Sequence, residues 1–264
     1  MINDLIYVYC ISNSPPGHIR NMESLGLKSL RFGDFYVMMK YVSESEFSEE
    51  SLKKNSSDIQ WLEINAREHL MVIAMIMEQT TVIPFTFGTI YQSVDSLNKF
   101  IEDYSGSLIA NFRHIGGKEE WAVKIYCNRK VLNSQIDELS EEAAVLEKQI
   151  MASSPGKAFI LQRKKDVLIE DEIDRICKNY GQLYYDEFKN LSESTCLNNL
   201  LPKELTGRGD TMILNANFLV SKGKVTDFKS IVEKLRENDG KPGFIIETTG
   251  PWPPFSFISI KEKQ

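Results

Sequence analysis

The stretch Trp121-Ala122-Val123-Lys124-Ile125-Tyr126-Cys127 decides the fold. Trp121, Val123, Ile125 and Cys127 alternate with Ala122, Lys124 and Tyr126, which is the two-residue period of a β-strand. Downstream the period changes. Between residues 132 and 150, Leu132, Ile136, Leu139, Ala143, Leu146 and Ile150 recur at steps of four and three, a short seam that requires a partner helix. Ser153-Ser154-Pro155-Gly156 makes a turn, and Leu161, Ile169, Ile173, Ile176, Tyr180, Tyr184, Phe188 and Leu191 follow at helical spacing, with Leu168 beside them. An antiparallel helical hairpin lets the two seams bury each other. A fainter strand signal spans Thr195 to Leu201. Met212, Leu214, Ala216, Phe218 and Val220 then alternate as a strand, Val225 to Leu235 reads as a helix, and Phe244 to Thr248 as a last strand. The order is β-α-β-β-α-β with one helix added, the pattern of a ferredoxin-like domain.

Upstream, Leu5 to Ile11 combines β-branched and aromatic residues and stops at Ser14-Pro15-Pro16-Gly17. Leu27 to Phe32 and Phe35 to Val42 form a hairpin around Gly33-Asp34. Asp58 to about Gln79 has helical length, and its second half, Leu70 to Met77, is apolar all round, which predicts that other elements cover it on every side. A short strand, Thr81-Val82-Ile83, ends at Pro84. Val94, Leu97, Ile101, Tyr104, Leu108, Phe112 and Ile115 form the stripe of a second helix closed by Gly116-Gly117. The fold expectation is therefore α+β in two domains: an N-terminal α+β domain over residues 1–116 and a ferredoxin-like domain with a helical insertion over 117–249. A C-terminal tail spans 250–264 and holds one more strand candidate, Phe255 to Ile260.

The chain has 264 residues, 42% hydrophobic and 26% charged, which excludes collagen, a coiled-coil rod and a disordered tail. A net charge of −6 and a pI near 5.3 argue against nucleic acid as a partner, since a polyanion would be repelled at long range. No run reaches the roughly 20 apolar residues of a membrane span, and Met1-Ile2-Asn3-Asp4 does not open a signal sequence, so the expected place is the cytoplasm, with no lipid membrane as partner. Cys10, Cys127, Cys177 and Cys196 stand far apart in sequence without a C-x-x-C pair, and read as buried small hydrophobes in a reducing compartment.

Catalytic templates are missing. His18, His69 and His114 have no second ligand at metal spacing, and His69 reads as a packing or capping histidine. Ser154-Pro155-Gly156-Lys157-Ala158 lacks the first glycine and the hydroxyl of a phosphate loop; Arg208-Gly209-Asp210 reads as a loop. Arg163-Lys164-Lys165 and Glu170-Asp171-Glu172 read as one helix's solvated charges pairing with each other. No catalytic, cofactor-binding or metal-binding residue is assigned, and no cofactor is expected. The unusual segments are apolar: Val82-Ile83-Pro84-Phe85-Thr86-Phe87-Gly88-Thr89, and Thr249-Gly250-Pro251-Trp252-Pro253-Pro254-Phe255-Ser256-Phe257. Three prolines in four residues preset the backbone and hold Trp252 in a fixed direction. Either Trp252 docks on another protein at low entropic cost, or it folds back and plugs the core.

These segments resemble the gas vesicle protein family GvpL/GvpF. The resemblance rests on Ile6-Tyr7-Val8-Tyr9, on Glu68-His69 through Thr89, on Glu120-Trp121-Ala122-Val123-Lys124 and on Gly156-Lys157-Ala158-Phe159-Ile160-Leu161 with Lys164-Lys165. Asn215-Ala216-Asn217-Phe218-Leu219-Val220 and Gly250 to Phe257 complete it, so it spans nearly the whole chain. Two positions depart: Thr86 stands where the family commonly has a basic residue, and Phe255 where it usually has tyrosine. The resemblance implies two domains, no catalysis, a place in the cytoplasm and on the gas vesicle, and contacts with the hydrophobic main shell protein and with other accessory proteins.

Two functions follow as expectations. In the first, the chain is an accessory or minor structural protein of vesicle assembly that binds the main shell protein through Trp252, Pro253, Pro254 and Phe255, with Phe85 and Phe87 second. In the second, it is a small-molecule enzyme or sensor on a ferredoxin-like scaffold, in which His69, Glu120 or Lys124 would converge on a pocket. A bland reading of Glu120 and Lys124 is a charge pair at the surface or the sheet end.

Overall fold

The computed structural model describes residues 4–17, 22–135, 140–237 and 243–260. By internal contacts the chain divides into two compact units, Met1–Glu120 with Pro251–Gln264, and Trp121–Gly250. The terminal segment, expected as a tail of its own, groups with the first unit. The architecture is mixed α+β with two sheets, as the sequence predicts.

In the first unit β1 (Asp4–Ser12) is the inner strand. It pairs antiparallel with β3 (Phe35–Ser43), which pairs with β2 (Leu27–Phe32) through the Gly33-Asp34 turn. The helices α1 (Glu44–Phe47), α2 (Glu49–Asn55) and α3 (Ile59–Met77) follow. β4 (Val82–Pro84) and β5 (Ile90–Tyr91) pair with the other edge of β1, so its residues from Ile6 to Ile11 are all buried, as a strand covered on both faces requires. Asp58 caps α3 by accepting from the N–H groups of Gln60 and Trp61. Along β3 the alternation sends Met38, Lys40 and Val42 toward α3. Phe35, Val37 and Met39 go the other way, where Phe35 stacks on Phe112 of α4 (Val94–Ile115). The expectation that the second half of α3 is covered all round is corrected: Val72, Ile73 and Ile76 are buried, but Leu70 is 40% and Met71 43% exposed, because only one face meets the sheet.

β6 (Lys118–Cys127) carries the chain into the second unit. Then come α5 (Arg129–Ser134), α6 (Glu141–Met151), α7 (Pro155–Asn190), β7 (Ser194–Leu197), α8 (Lys203–Thr206), β8 (Thr211–Ser221), α9 (Val225–Glu237) and β9 (Phe244–Trp252). The sheet order β7-β8-β6-β9, counted within this unit, is 2-3-1-4, which is the β-α-β-β-α-β arrangement read from the sequence. Tyr180, Tyr184 and Phe188 of α7 and Phe228, Val232 and Leu235 of α9 share one core with Trp121, Val123 and Ile125 of β6 and alternate residues of β8.

Three local expectations change. Among the described residues, the single helix expected over 132–150 is represented by α5 and α6, each started by its own cap: Asn128 accepts from the N–H of Val131, and Ser140 from that of Ala143. The seam residues Ile136 and Leu139, and His18, lie outside the described residues. The α7 charges do not pair only among themselves. Lys165, although buried, donates to Glu147 of α6 at 2.8 Å, and Glu170 binds Arg129. Finally, the strand expected over 255–260 is a single 3-10 turn, Phe255–Phe257, because the strand before it runs on to Trp252 and the prolines end it there.

Candidate functional site

The terminal segment is built from restraint outward. Gly250 takes φ 146°, a conformation that side chains with a Cβ rarely adopt, and this redirects the chain just before the prolines. Pro253 and Pro254 are buried, and the N–H groups of Phe255 and Phe257 donate to the carbonyls of Pro253 and Pro254 at 2.7 and 3.2 Å. Between and after these anchors the rings face out: Trp252 is 43% and Phe255 36% exposed. The reading in which Trp252 plugs the core is thereby corrected. The prolines carry no backbone donors, and the two rings on either side of the buried Pro253-Pro254 pair are the exposed ones.

Two polar clamps hold the segment within the first unit. Glu120, only 3% exposed, accepts from the Ser256 N–H at 3.0 Å and from the Ser256 hydroxyl at 2.7 Å. Asn111 of α4 accepts from the Ser259 N–H at 3.0 Å and donates its amide to the Ser259 carbonyl at 2.9 Å, to which the Ser107 hydroxyl also donates at 3.1 Å. Asn111 thus meets the chain as a neighbouring strand would, satisfying both backbone groups of one residue. The surface charge pair expected of Glu120 and Lys124 is corrected by this burial. Both residues had a signal in the sequence, since Asn111 sits between Leu108 and Phe112 beside the apolar stripe and Glu120 directly precedes the strand residue Trp121, but neither signal names Ser256 or Ser259 as partner.

Phe85 and Phe87 lie elsewhere and face inward. Phe85 is buried, and Phe87 is partly buried with its ring against Tyr7, Trp61 and His69. They surround a buried polar network. His69 Nε2 lies 2.9 Å from the Phe85 carbonyl, so it carries the proton, and Nδ1 accepts from the Tyr7 hydroxyl at 2.8 Å. Burial holds His69 below an ordinary imidazole and pushes the Tyr7 phenol up. Tyr9 donates to Glu68 at 2.6 Å, and Lys40 donates to the same oxygen. Burial alone would raise the Glu68 carboxyl, but Lys40 and Tyr9 together hold it below the usual range. This is a satisfied interior. His69 and Glu120 direct their polar atoms to separate internal partners and do not converge. Among the described residues no group of three His, Cys, Asp or Glu side chains is gathered as metal ligands, and no helix is long and apolar enough to cross a membrane.

The family model described as "Gas vesicle synthesis protein GvpL/GvpF" matches residues 5–259, a span that includes both clamps and the ring-bearing segment. The chain belongs to the GvpL/GvpF family. Gas vesicle protein L of Streptomyces sp. (strain CB03234) is 25% identical over 238 residues, 89% of this chain and 84% of that one. The crystal structure of the gas vesicle protein GvpF from Anabaena sp. PCC7120 superposes with a TM-score of 0.73 at 18% identity, covering 98% of this chain and 100% of that chain. That of GvpF from Microcystis aeruginosa gives 0.65 at the same identity and coverage. The GvpF structures share the fold, and membership of GvpL/GvpF gives the chain a role in gas vesicle formation.

Proposed function

We propose that this GvpL/GvpF chain is a non-catalytic accessory protein that binds the hydrophobic main shell protein during vesicle assembly, through Trp252 and Phe255 presented on Pro253 and Pro254. The observation that carries the reading is the exposure of both rings on a segment whose backbone is already fixed by Glu120 and Asn111. A rigid tryptophan docks with little further loss of freedom, and tryptophan is the residue type most enriched at interface hot spots. The acidic surface suits the same task, because a soluble partner can keep an apolar subunit from aggregating before it assembles. Phe85 and Phe87, being inward, fill the interior rather than offering rings of their own.

Co-expression of the full chain with the main shell protein, followed by affinity capture, tests this. The wild type should retain the shell protein, and a Trp252→Ala/Phe255→Ala variant with an unchanged circular dichroism spectrum should lose at least tenfold of it. Full retention by the folded double variant would move the contact elsewhere. Intact vesicles in a strain deleted for the gene would remove the assembly role itself.

A further inference from the structure

The second unit contains a thiol pair that shell binding does not use. Cys127 ends β6 and Cys177 lies within α7; both are buried in one apolar cluster with Leu132 and Ile173. Each thiol is the other's nearest polar partner within that cluster. The pair is asymmetric in access as well. Cys177 forms part of the wall of a cavity of about 360 Å³ together with Arg129, Lys178, Tyr185 and Met212, whereas Cys127 is fully buried and is not among the residues lining it. Arg129 is fixed in that wall by Glu170 and by Asp174, the latter at 2.6 Å. The contact with Cys127, then the nearby Arg129 guanidinium, hold the Cys177 thiol below its ordinary value against burial and the Asp174 carboxylate; the same contact and burial push Cys127 up. One sulfur therefore borders an opening and has the more acidic thiol, and the other stands behind it.

We propose that Cys127 and Cys177 form a peroxide-reactive dithiol site, with Cys177 as the attacking sulfur and Cys127 as the resolving one. Cys177 sulfur attacks one oxygen of hydrogen peroxide and the O–O bond breaks. The product is a sulfenic acid, and the departing hydroxide takes the Cys177 proton and leaves as water. Cys127 sulfur then attacks Cys177 sulfur; the S–S bond forms, the S–O bond breaks, and the hydroxide leaves as water with the Cys127 proton. Two thiols and one peroxide give one disulfide and two waters, a two-electron oxidation of the pair. The bond ties the end of β6 to α7.

The test uses the full chain, reduced and then exposed to hydrogen peroxide, with free thiols counted after denaturation and peptides mapped by mass spectrometry. The wild type should lose two of its four thiols and yield a peptide linking Cys127 to Cys177 that dithiothreitol cleaves. In Cys127→Ala, Cys177 should stop at a sulfenic acid that dimedone traps; in Cys177→Ala, Cys127 should stay reduced. A wild-type chain that remains folded and is oxidised without the linked peptide, for example only at the partly exposed Cys196, overturns the proposal. Oxidation of Cys127 in Cys177→Ala at the wild-type rate overturns the order of attack. The wild-type map decides the pairing even where a variant fails to fold.

Discussion

Glu120→Gln separates the presentation of the rings from the rings themselves. Glu120 accepts two hydrogen bonds from Ser256, one from the backbone and one from the hydroxyl, in a site closed to solvent. Glutamine has the same shape but keeps one accepting oxygen and turns an NH₂ group toward the other donor. One hydrogen bond to a charged group is lost, about 1.5–3 kcal/mol, and a donor is left facing a donor. At about 1.4 kcal/mol per factor of ten, the equilibrium for release of residues 255–260 should move about ten- to hundredfold. Hydrogen exchange followed by mass spectrometry reads this directly. Peptides covering residues 251–260 should exchange faster by that factor, while peptides from α7 and α9 keep their wild-type protection. Retention of the shell protein should fall in parallel although Trp252 and Phe255 are intact. Unchanged protection of 251–260 in a folded variant would refute the clamp, and faster exchange with full shell retention would refute the idea that its rigidity matters for binding.

Other perturbations address the rest of the molecule. Asn111→Ala removes the side chain that meets both backbone groups of Ser259, and should cost about 1–3 kcal/mol; loss of protection at the Ser259 amide, more than at Ser256, checks it. Phe228→Ala empties a fully buried site between Phe188 and Phe218, at ring distances of 4.8 and 5.7 Å, and should cost about 3–5 kcal/mol in urea unfolding monitored by tyrosine and tryptophan fluorescence. His69 is kept neutral by burial, so the unfolded chain takes up a proton that the folded chain refuses. Stability should therefore fall as pH drops below about 6.5, the ordinary imidazole value, and His69→Gln should flatten the melting temperature between pH 7 and 5. Glu68 acts in a separate window: its lowered carboxyl contributes stability that is present above the ordinary glutamate value and lost only as pH falls below it. A wild-type melting temperature that is flat from pH 7 to 5 would contradict the assignment of a neutral His69.

The sheets were legible because their strands carry strong periodicity. Trp121 to Ile125 alternates and also packs as it alternates, with Tyr126 buried besides, and the hairpin at Gly33-Asp34 falls where the turn residues put it. Helices α1 and α2 were not legible, since Glu44 to Asn55 is rich in serine, glutamate and lysine and buries little beyond Phe47; α1 starts without a side-chain cap, and α2 starts on a local bond, Ser48 accepting from the Ser51 N–H. The end of α5 and the separate start of α6 were hidden by an apolar sequence seam that runs from Leu132 to Ile150. Capping residues, Asn128 and Ser140, gave the better signal there than the heptad spacing.

The site divides in the same way. Its exposed half, a tryptophan and a phenylalanine on a run of prolines, is a composition so unusual that the sequence alone picks it out. Its buried half depends on pairings between residues far apart in the chain: Glu120 with Ser256 at a separation of 136 residues, and Asn111 with Ser259 at 148. Periodicity carries no information at that range. What it does carry is the conflict, a polar Asn111 buried alongside Leu108 and Phe112, and a carboxylate at the start of a strand whose next residue is core. A buried amide or carboxylate must find donors and acceptors, because leaving one unmet costs about 1–3 kcal/mol, and more for a charge. Both residues can therefore be read as demands for a backbone to come and satisfy them. The terminal segment is that backbone. The physical consequence is that the segment carrying the rings is held by buried groups, so, on the proposed shell-binding reading, polar substitutions at Glu120 and Asn111 should alter shell retention as strongly as a ring truncation does.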